Sequence, residues 1–260
     1  MRNFLLKLAD AAAKESLPRF RKSIFVENKE ADHPSDSAFD PVTEADKAAE
    51  VAIRNAIRTA YPNDAIIGEE DETENPDAEN GWIIDPIDGT RAFISGVPVW
   101  GTLIGRFEGD SMTAGIMHQP FTGEAYVADG KTSVLMHNGQ QTPLKTNNCT
   151  QLKNAKIMTT SPRIFNAEDL TMYDRLEAAC QLPRYGGDCY AYALLASGHI
   201  DLVMEADLKP YDIAALVPII EQAGGVVRSW DGGSANQGGR VLAAANEDLF
   251  QAAFECIHAS

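Results

Sequence analysis

A short apolar segment that ends in two closely spaced aspartates constrains the fold of this chain more than any other feature. Trp82-Ile83-Ile84 has the composition of a buried strand, and it runs directly into Asp85-Pro86-Ile87-Asp88-Gly89-Thr90. Pro86 cannot donate a hydrogen bond to a β-ladder and Gly89 allows a tight turn, so we predict that the strand stops here. We expect a helix to start near Gly89 or Thr90, which gives a strand–turn–helix unit.

Two carboxylates at the carboxyl end of a strand, followed by a helix start, bring two kinds of binding group together. Carboxylate oxygens hold hard divalent cations, and the free N–H groups of a helix start attract phosphate. Asp85 and Asp88 can equally be turn formers and a helix cap, which is the commoner role of such residues. The rest of the chain has to decide between these alternatives.

The charge and composition exclude several classes of partner. The formal net charge of -16 over 260 residues argues against nucleic acid or an anionic membrane surface as the main partner, since both need basic patches. A phosphate ester that binds so acidic a protein would need bound cations beside it. The sequence shows no apolar run near the ~20 residues of a membrane span, no signal peptide and four scattered cysteines, which together predict a cytoplasmic protein with free thiols.

Two further acidic segments lie where an α/β protein can use them. Thr43-Glu44-Ala45-Asp46 opens a helix, and Thr43 with Asp46 fits a capping box, which by itself explains Asp46. Ile66-Ile67-Gly68 is a short strand that runs into Glu69-Glu70-Asp71. Clustered acids usually form a solvated face, but ligand sites of α/β proteins lie at strand ends such as this one.

The order of the predicted elements indicates an α/β protein with two parts. A helix over residues 2–22 precedes an exposed polar loop over 27–40, which contains Lys29. The chain then contains probable strands of an antiparallel or mixed sheet at Gly101–Phe107, Ser111–Gln119, Glu124–Ala128 and Ser133–Met136. The later chain alternates helices and strands, with a helix over Ile213–Gln222, two short strands after it and a short helix at the end. We predict an N-terminal α+β part over 1–145 and a C-terminal α/β part over 146–260, which form one compact unit.

Four spaced motifs carry a resemblance to a known family. The sequence contains, in order, Val42-Thr43-x-x-Asp46, Gly68-Glu69-Glu70, Asp85-Pro86-Ile87-Asp88-Gly89-Thr90 and Tyr211-Asp212-x-Ala214, followed by Ala223-Gly224-Gly225. In this order and spacing they resemble the inositol monophosphatase family, over about Lys29 to Asn246. The resemblance implies a magnesium-dependent phosphomonoesterase with a layered αβαβα sandwich of the inositol monophosphatase/sugar phosphatase type, usually a homodimer.

The resemblance also implies roles for individual residues. Two to three Mg²⁺ ions would be held by four acids and one backbone carbonyl, from Glu69, Asp85, Ile87, Asp88 and Asp212. Asp85 would bridge two ions, and a weaker third ion would lie near Glu69, which we also count as catalytic. Asp46 and Thr90 would orient and deprotonate the attacking water. The amides of Gly89 and Thr90 would bind phosphate oxygens.

Residues around position 188 separate this chain from the inositol phosphatases of the family. Arg184-Tyr185-Gly186-Gly187-Asp188-Cys189-Tyr190 stands where those enzymes usually show a run of small residues, and Lys209-Pro210-Tyr211-Asp212 lacks their tryptophan. These segments resemble the histidinol-phosphatase branch, which hydrolyses L-histidinol phosphate in histidine biosynthesis. That substrate carries an ammonium group and an imidazole, so its pocket should be acidic. We predict that Asp188 and Glu205 contact it.

Several alternatives stay open. Asp188 can cap the helix that follows it, in addition to or instead of binding substrate. Arg184 is predicted to bind substrate through a phosphate oxygen, but it can also pair with an acid of a neighbouring subunit. Inositol 1-phosphate or another small monoester can replace histidinol phosphate, whereas a bisphosphate would need a basic cluster that the sequence does not show. A non-catalytic binding module is the third alternative, and the intact set of acids argues against it.

Overall fold

The computed structural model describes residues 1–28 and 41–259. The predicted polar loop, including Lys29, therefore lies almost entirely outside the described residues. Helix α1 spans Arg2–Ser16, which is shorter than the predicted helix over 2–22. It ends at Ser16 because Pro18 has no N–H to donate and disfavours helical geometry at the residue before it. Strands β1 (Val26–Asn28) and β2 (Pro41–Thr43) form a small antiparallel pair ahead of α2 (Glu44–Ala60).

Helices α1 and α2 cover one face of a seven-stranded sheet. Their apolar residues recur every three to four positions, so each helix presents one buried stripe to the sheet. Leu8 of α1 and Ile53 of α2 are fully buried in the same cluster as Trp82. This cluster fixes the start of α2, and therefore Asp46, relative to the strands beneath it.

The seven-stranded sheet follows chain order. Its strands are β3 (Ala65–Gly68), β4 (Asn80–Asp88), β5 (Gly101–Glu108), β6 (Ser111–Gln119), β7 (Glu124–Ala128), β8 (Ser133–His137) and β9 (Gln140–Pro143). Only β3 and β4 pair in parallel, and the other neighbours are antiparallel. The predicted hairpin turn at Asn138-Gly139 is confirmed, with positive φ at both residues. The exposed, polar β9 gave no strand signal and was not predicted.

Strand β4 stops within the predicted segment Asp85–Thr90, but it extends beyond the apolar run Trp82–Ile84. It continues to Asp88, and its register against β5 shifts between Asp85 and Asp88. A bulge of this kind accommodates Pro86, which has no N–H for the ladder. The helix predicted to start at Gly89 or Thr90 is confirmed as α3 (Thr90–Ile94).

The second half of the chain builds a five-stranded sheet with its helices. Its elements are β10 (Lys156–Thr159), α4 (Ala167–Ala179), β11 (Leu182–Tyr185), α5 (Asp188–Ala196), β12 (Leu202–Leu208), α6 (Pro210–Ile213), α7 (Leu216–Glu221), β13 (Val226–Ser229), β14 (Gly239–Ala244) and α8 (Glu247–His258). The strand order is β11-β10-β12-β14-β13. The helix predicted over Ile213–Gln222 is present as the shorter α7, whereas Ile213 ends α6; Pro218 has no N–H to donate to the carbonyl of Ala214, which keeps the two helices apart.

The layers follow the order helix, sheet, helix, sheet, helix. Helices α5 and α7 lie between the two sheets, α1 and α2 cover the larger sheet, and α4 and α8 cover the smaller one. The predicted αβαβα sandwich is therefore confirmed. The division into parts at 145/146 falls between β9 and β10 and stays a prediction. Among the described residues, no helix combines the length and apolar character needed to cross a bilayer.

Candidate active site

Strand ends from both sheets surround a cavity of about 520 Å³. One wall comes from the ends of β3 and β4, the start of α3, and α6. The opposite wall comes from the ends of β10 and β12 and the start of α5. Nine of the ten predicted site residues other than Arg184 line it: Glu69, Asp85, Ile87, Asp88, Gly89, Thr90, Asp188, Glu205 and Asp212. The tenth, Asp46, lies one hydrogen bond behind Thr90.

Three acids from two distant parts of the chain meet at one end of this cavity. Asp85, Asp88 and Asp212 each offer a carboxylate oxygen, and these oxygens lie within 4.8 Å of one another. They are the only such group of acids, cysteines or histidines in the part of the chain that the structure describes. Asp85 is buried, whereas Asp88 and Asp212 are half-buried.

Each of the three carboxylates is fixed by a backbone amide. Asp85 Oδ1 accepts a hydrogen bond from the Ile87 amide at 3.0 Å, and Asp212 Oδ2 accepts one from the Lys209 amide at 2.6 Å. Asp88 Oδ2 accepts from the amide of Cys189 at 2.8 Å, across the cavity at the start of α5. Backbone amides therefore help to orient all three carboxylates.

The electrostatics of this group call for an external cation. Burial raises the pKa of Asp85 and Asp88 well above the ordinary range, and neighbouring carboxylates, Glu69 for Asp85 and Asp212 for Asp88, raise it further. Burial also raises the pKa of Asp212 to about 7. A donor set made only of oxygens suits a hard divalent cation such as Mg²⁺, whose charge would hold the acids ionised. The residues present therefore fit the predicted metal.

Glu69 lies beside this group without belonging to it. It follows β3 and lines the same cavity, and its charge contributes to the raised pKa of Asp85, Asp46 and Asp212. Its role as a ligand and as a catalytic residue stays a prediction, as does that of the Ile87 carbonyl, which accepts a hydrogen bond from Thr90 Oγ1 at 3.1 Å.

Asp46 has a second partner beyond the predicted helix cap. The capping box is present: Asp46 Oδ2 accepts from the Thr43 amide at 2.9 Å, and Thr43 Oγ1 accepts from the Ala45 amide at 3.1 Å. In addition, Thr90 Oγ1 lies 3.4 Å from Asp46 Oδ1. Burial raises the pKa of Asp46 to about 6. Capping alone does not explain why Asp46 reaches a residue of the cavity wall.

Gly89 and Asp188 lie so close together that a side chain at position 89 would contact Asp188. Gly89 has a φ of +79°, and a Cβ added there would lie 3.0 Å from Asp188 Oδ2. Gly187 is the N-cap of α5 and Asp188 is the first residue within the helix, while the amide of Cys189 donates to Asp88. The capping alternative for Asp188 is therefore wrong. Asp188 has a φ of 43°, and burial raises its pKa. Such a backbone is uncommon for a residue other than glycine and tends to occur at functional sites.

Glu205 is buried on the same wall as Asp188. Its Oε1 accepts a hydrogen bond from the Thr160 amide at 2.6 Å, and burial raises its pKa to about 8. Arg184 is different: it is exposed on β11, an edge strand of the smaller sheet, and does not line the cavity. The structure does not bring it to the other site residues, and its pairing with a neighbouring subunit stays a prediction.

Sequence reasoning missed several residues of the cavity wall. Arg91 and Arg163 add two positive charges, although no basic cluster is visible in the sequence. Tyr192 lies in the wall with its hydroxyl buried and unpartnered among the described residues. These residues come from separate elements and no local motif marks them, so only the fold brings them together.

Known proteins support this site at the level of the family. The inositol monophosphatase family matches residues 1–259. The chloroplastic bifunctional phosphatase IMPL2 of Arabidopsis thaliana is 38% identical over 262 residues, which covers 96% of this chain and 72% of that protein. A histidinol-phosphatase of Chlorobaculum parvum is 34% identical over 247 residues, with coverage of 94% and 91%.

A solved structure of an inositol monophosphatase from Zymomonas mobilis is also similar. It is 39% identical, its TM-score is 0.84, and the match covers 98% of this chain and 96% of that one. Relatives with different substrate names therefore lie at comparable identity, so the comparisons identify the family but not the substrate-specific branch within it. With its αβαβα layers and its cavity of clustered acids, this chain belongs to the inositol monophosphatase family, a family of phosphatases.

Proposed function

We propose that this chain is a Mg²⁺-dependent phosphomonoesterase that hydrolyses L-histidinol phosphate to L-histidinol and phosphate. The observation that carries the metal-dependent chemistry is the group of three carboxylates, whose oxygens lie within 4.8 Å of one another at the end of a cavity. Asp85, Asp88 and Asp212, with Glu69 and the Ile87 carbonyl, would hold two to three Mg²⁺ ions. Bound Mg²⁺ would acidify a water and offset the charge of the phosphate.

The residues of the chain itself supply proton transfer and orientation. Asp46, with a pKa raised to about 6, is a stronger base than an ordinary aspartate and contacts the Thr90 hydroxyl at 3.4 Å. Thr90 Oγ1 also lies 3.1 Å from the Ile87 carbonyl, so its hydroxyl has a fixed position from which to orient an attacking water. The proposed roles of the Gly89 and Thr90 amides toward phosphate oxygens rest on the family resemblance.

The acidic wall opposite the carboxylate group supports a cationic leaving group. Asp188 and Glu205 line the cavity on that side, and burial raises the pKa of both carboxyl groups. An ammonium or imidazolium group beside them would favour their ionised forms and be bound in return. L-Histidinol offers both groups, and inositol offers neither.

A second candidate substrate is inositol 1-phosphate or another small anionic monoester. Arg91 and Arg163 line the same cavity and would suit a substrate whose phosphate charge is not offset by a cationic group. The solved inositol monophosphatase is also 39% identical to this chain. We further propose that the protein is a cytoplasmic homodimer, on the basis of the family resemblance and the sequence composition.

The discriminating experiment is a panel of about a dozen phosphate monoesters assayed for phosphate release with Mg²⁺ and with EDTA. We expect release from histidinol phosphate, dependent on Mg²⁺ and much faster than from inositol 1-phosphate. The reverse preference would reject histidinol phosphate as the substrate but would leave the assignment as a phosphatase intact. No metal-dependent release from any monoester would reject both.

The substrate contact of Asp188 can be tested by Asp188→Asn, which removes the charge and tolerates the left-handed backbone. We expect KM for histidinol phosphate to rise about tenfold, the loss of roughly one charged contact, with little change in KM for a monoester whose leaving group is uncharged. Asp110→Asn, in an exposed turn, is the matched control. An unchanged KM for histidinol phosphate would refute the assignment of Asp188.

A further inference from the structure

We propose that the buried ion pair of Glu50 and Arg54 is a positioning unit that holds Glu69 ready for Mg²⁺. This inference rests on the proposed metal-dependent function and adds two residues that touch neither substrate nor metal. Neither residue belongs to a motif of the sequence, and neither lines the cavity. Their connection to the site runs through the loop that begins at Glu69.

The pair is unusually well buried for two charged side chains. Glu50 is 0% exposed and Arg54 is 1% exposed, on one face of α2. Arg54 Nε donates to Glu50 Oε1 at 2.8 Å, and Arg54 Nη2 lies 2.7 Å from the same oxygen. Taking two charges out of water costs several kcal/mol per ion, so the surroundings must return energy through further hydrogen bonds. The location of those bonds shows what the pair organises.

The further hydrogen bonds of the pair all go to the chain just after Glu69. Glu50 accepts from the amides of Glu70 at 2.9 Å and Asp71 at 3.0 Å. Arg54 donates to the carbonyls of Asp71 at 2.9 Å and Glu72 at 3.1 Å, and to the side chain of Glu74 at 2.8 Å. Glu50 and Arg54 therefore clamp the backbone of the segment that follows the predicted ligand.

The residue just before Glu69 is held against the same pair. A Cβ added to Gly68 would lie 2.1 Å from Glu50 Oε1 and 2.6 Å from Arg54 Nη2. Gly68 therefore lets the backbone pass directly over the ion pair. Glu69 is fixed on both sides, which sets the direction in which its side chain leaves the loop toward Asp85. Groups that orient a metal ligand typically change metal affinity 10- to 100-fold when they are lost.

The test is calorimetric titration of Mg²⁺ into the full chain without substrate. Glu50→Gln keeps the size of the side chain but places an amide N–H₂ against backbone donors. Arg54→Lys keeps the charge but loses the planar fork. We expect both variants to bind at least one Mg²⁺ about tenfold more weakly than the unmodified chain.

The matched control is Asp64→Asn, at a different partly buried ion pair. Asp64 Oδ2 lies 2.8 Å from Arg106 Nη1 and accepts from Trp82 Nε1 at 3.0 Å, and these contacts do not involve the loop after Glu69. This variant should lower the melting temperature and leave Mg²⁺ affinity unchanged. A general loss of stability would instead weaken Mg²⁺ binding in all variants alike.

A double-mutant cycle shows whether Glu50 acts through Glu69. In a Glu69→Gln background, Glu50→Gln should cause no further loss of Mg²⁺ affinity. Folded Glu50→Gln or Arg54→Lys protein with unmodified Mg²⁺ affinity would overturn the inference, as would equal losses with and without Glu69. If Glu50→Gln does not fold, Arg54→Lys decides. An unmodified chain that binds Mg²⁺ but hydrolyses no monoester would refute the proposed function and leave this inference standing.

Discussion

Two clusters of acids lie on either side of Glu69, and they differ in the counter-charge that the chain supplies. Glu50 and Glu74 contact Arg54, and a hydrogen bond from Arg58 is the main cause that lowers the pKa of Glu74 to about 2. In the second cluster, the pKa values of Asp85, Asp88 and Asp212 are all raised. Lys209 partly offsets the raised pKa of Asp212, and its own ion pair is with Asp207.

The difference separates structural acids from acids kept for a ligand. A carboxylate that only holds the fold together is paired, because an unpaired charge near the interior is costly. Three carboxylates clustered with so little basic compensation lower the stability of the folded protein when no cation is bound. Such an arrangement is useful when a cation from solution completes it.

The largest effect is expected from removing the central acid of the unpaired cluster. Asp85→Asn should abolish Mg²⁺-dependent phosphate release, by roughly a thousandfold or more, since the proposed metal supplies several kcal/mol to the transition state. Release of inorganic phosphate measures the effect. The same substitution should not destabilise the metal-free protein, because it removes charge repulsion. Retained turnover in Asp85→Asn would contradict the assignment of this acid cluster to a metal ion.

Removing the cation of the paired cluster should instead affect stability. Arg54→Met leaves Glu50 buried without its partner, and we expect a loss of about 3–5 kcal/mol in the free energy of unfolding. Arg58→Ala is the control: Arg58 also contacts Glu74, but its side chain is 51% exposed, so a loss of at most about 1 kcal/mol is expected. Urea titration measures both. Equal losses of unfolding free energy in Arg54→Met and Arg58→Ala would show that burial of the Glu50–Arg54 pair does not contribute to stability.

The last expected effect is a pH dependence of the stability of the metal-free protein. Burial raises the pKa of Asp212 to about 7 and of Glu205 to about 8, whereas carboxyl groups of the unfolded chain titrate near 4. The folded protein holds these protons longer, so the stabilisation is complete below about pH 4 and is lost as pH rises through 7 and 8.

Thermal melts between pH 5 and 9 check this prediction in EDTA and in Mg²⁺. In EDTA the melting temperature should fall with rising pH, by roughly 2–4 °C for each kcal/mol lost. Mg²⁺ should reduce the fall, because a cation favours the ionised carboxylates. If Mg²⁺ raised the melting temperature by the same amount at every pH, protonation of these acids would not be coupled to Mg²⁺ binding.

The sequence predicts well those parts of the site that are encoded within a few residues. Asp85, Asp88 and Gly89 lie on one continuous segment, and the capping box of Thr43 and Asp46 is equally local. The order of strands and helices follows from apolar periodicity, whereas the αβαβα layering was implied by the family resemblance. The extents of β4 and α7 were not predicted, because the effect of the missing N–H of Pro86 and Pro218 depends on how the surrounding chain accommodates it.

Contacts between distant segments could not be predicted. Asp88 meets the amide of Cys189, which is 101 residues away, and this contact removes the expected capping role of Asp188. Arg91 and Arg163 reach one cavity from different elements. Arg184 lies on β11, a strand that was not predicted, so its exposed position on a sheet edge could not be known. In each case the tertiary arrangement decides, and no local pattern reports it.

The contact between Asp88 and Cys189 uses a main-chain donor, so this hydrogen bond does not depend on the side chain at position 189. Every amino acid except proline carries the N–H that Asp88 accepts. The side chains at the beginning of α5 can thus change while the hydrogen bond that holds Asp88 is kept. A scaffold with that division of labour suits a lineage whose members diversify in substrate.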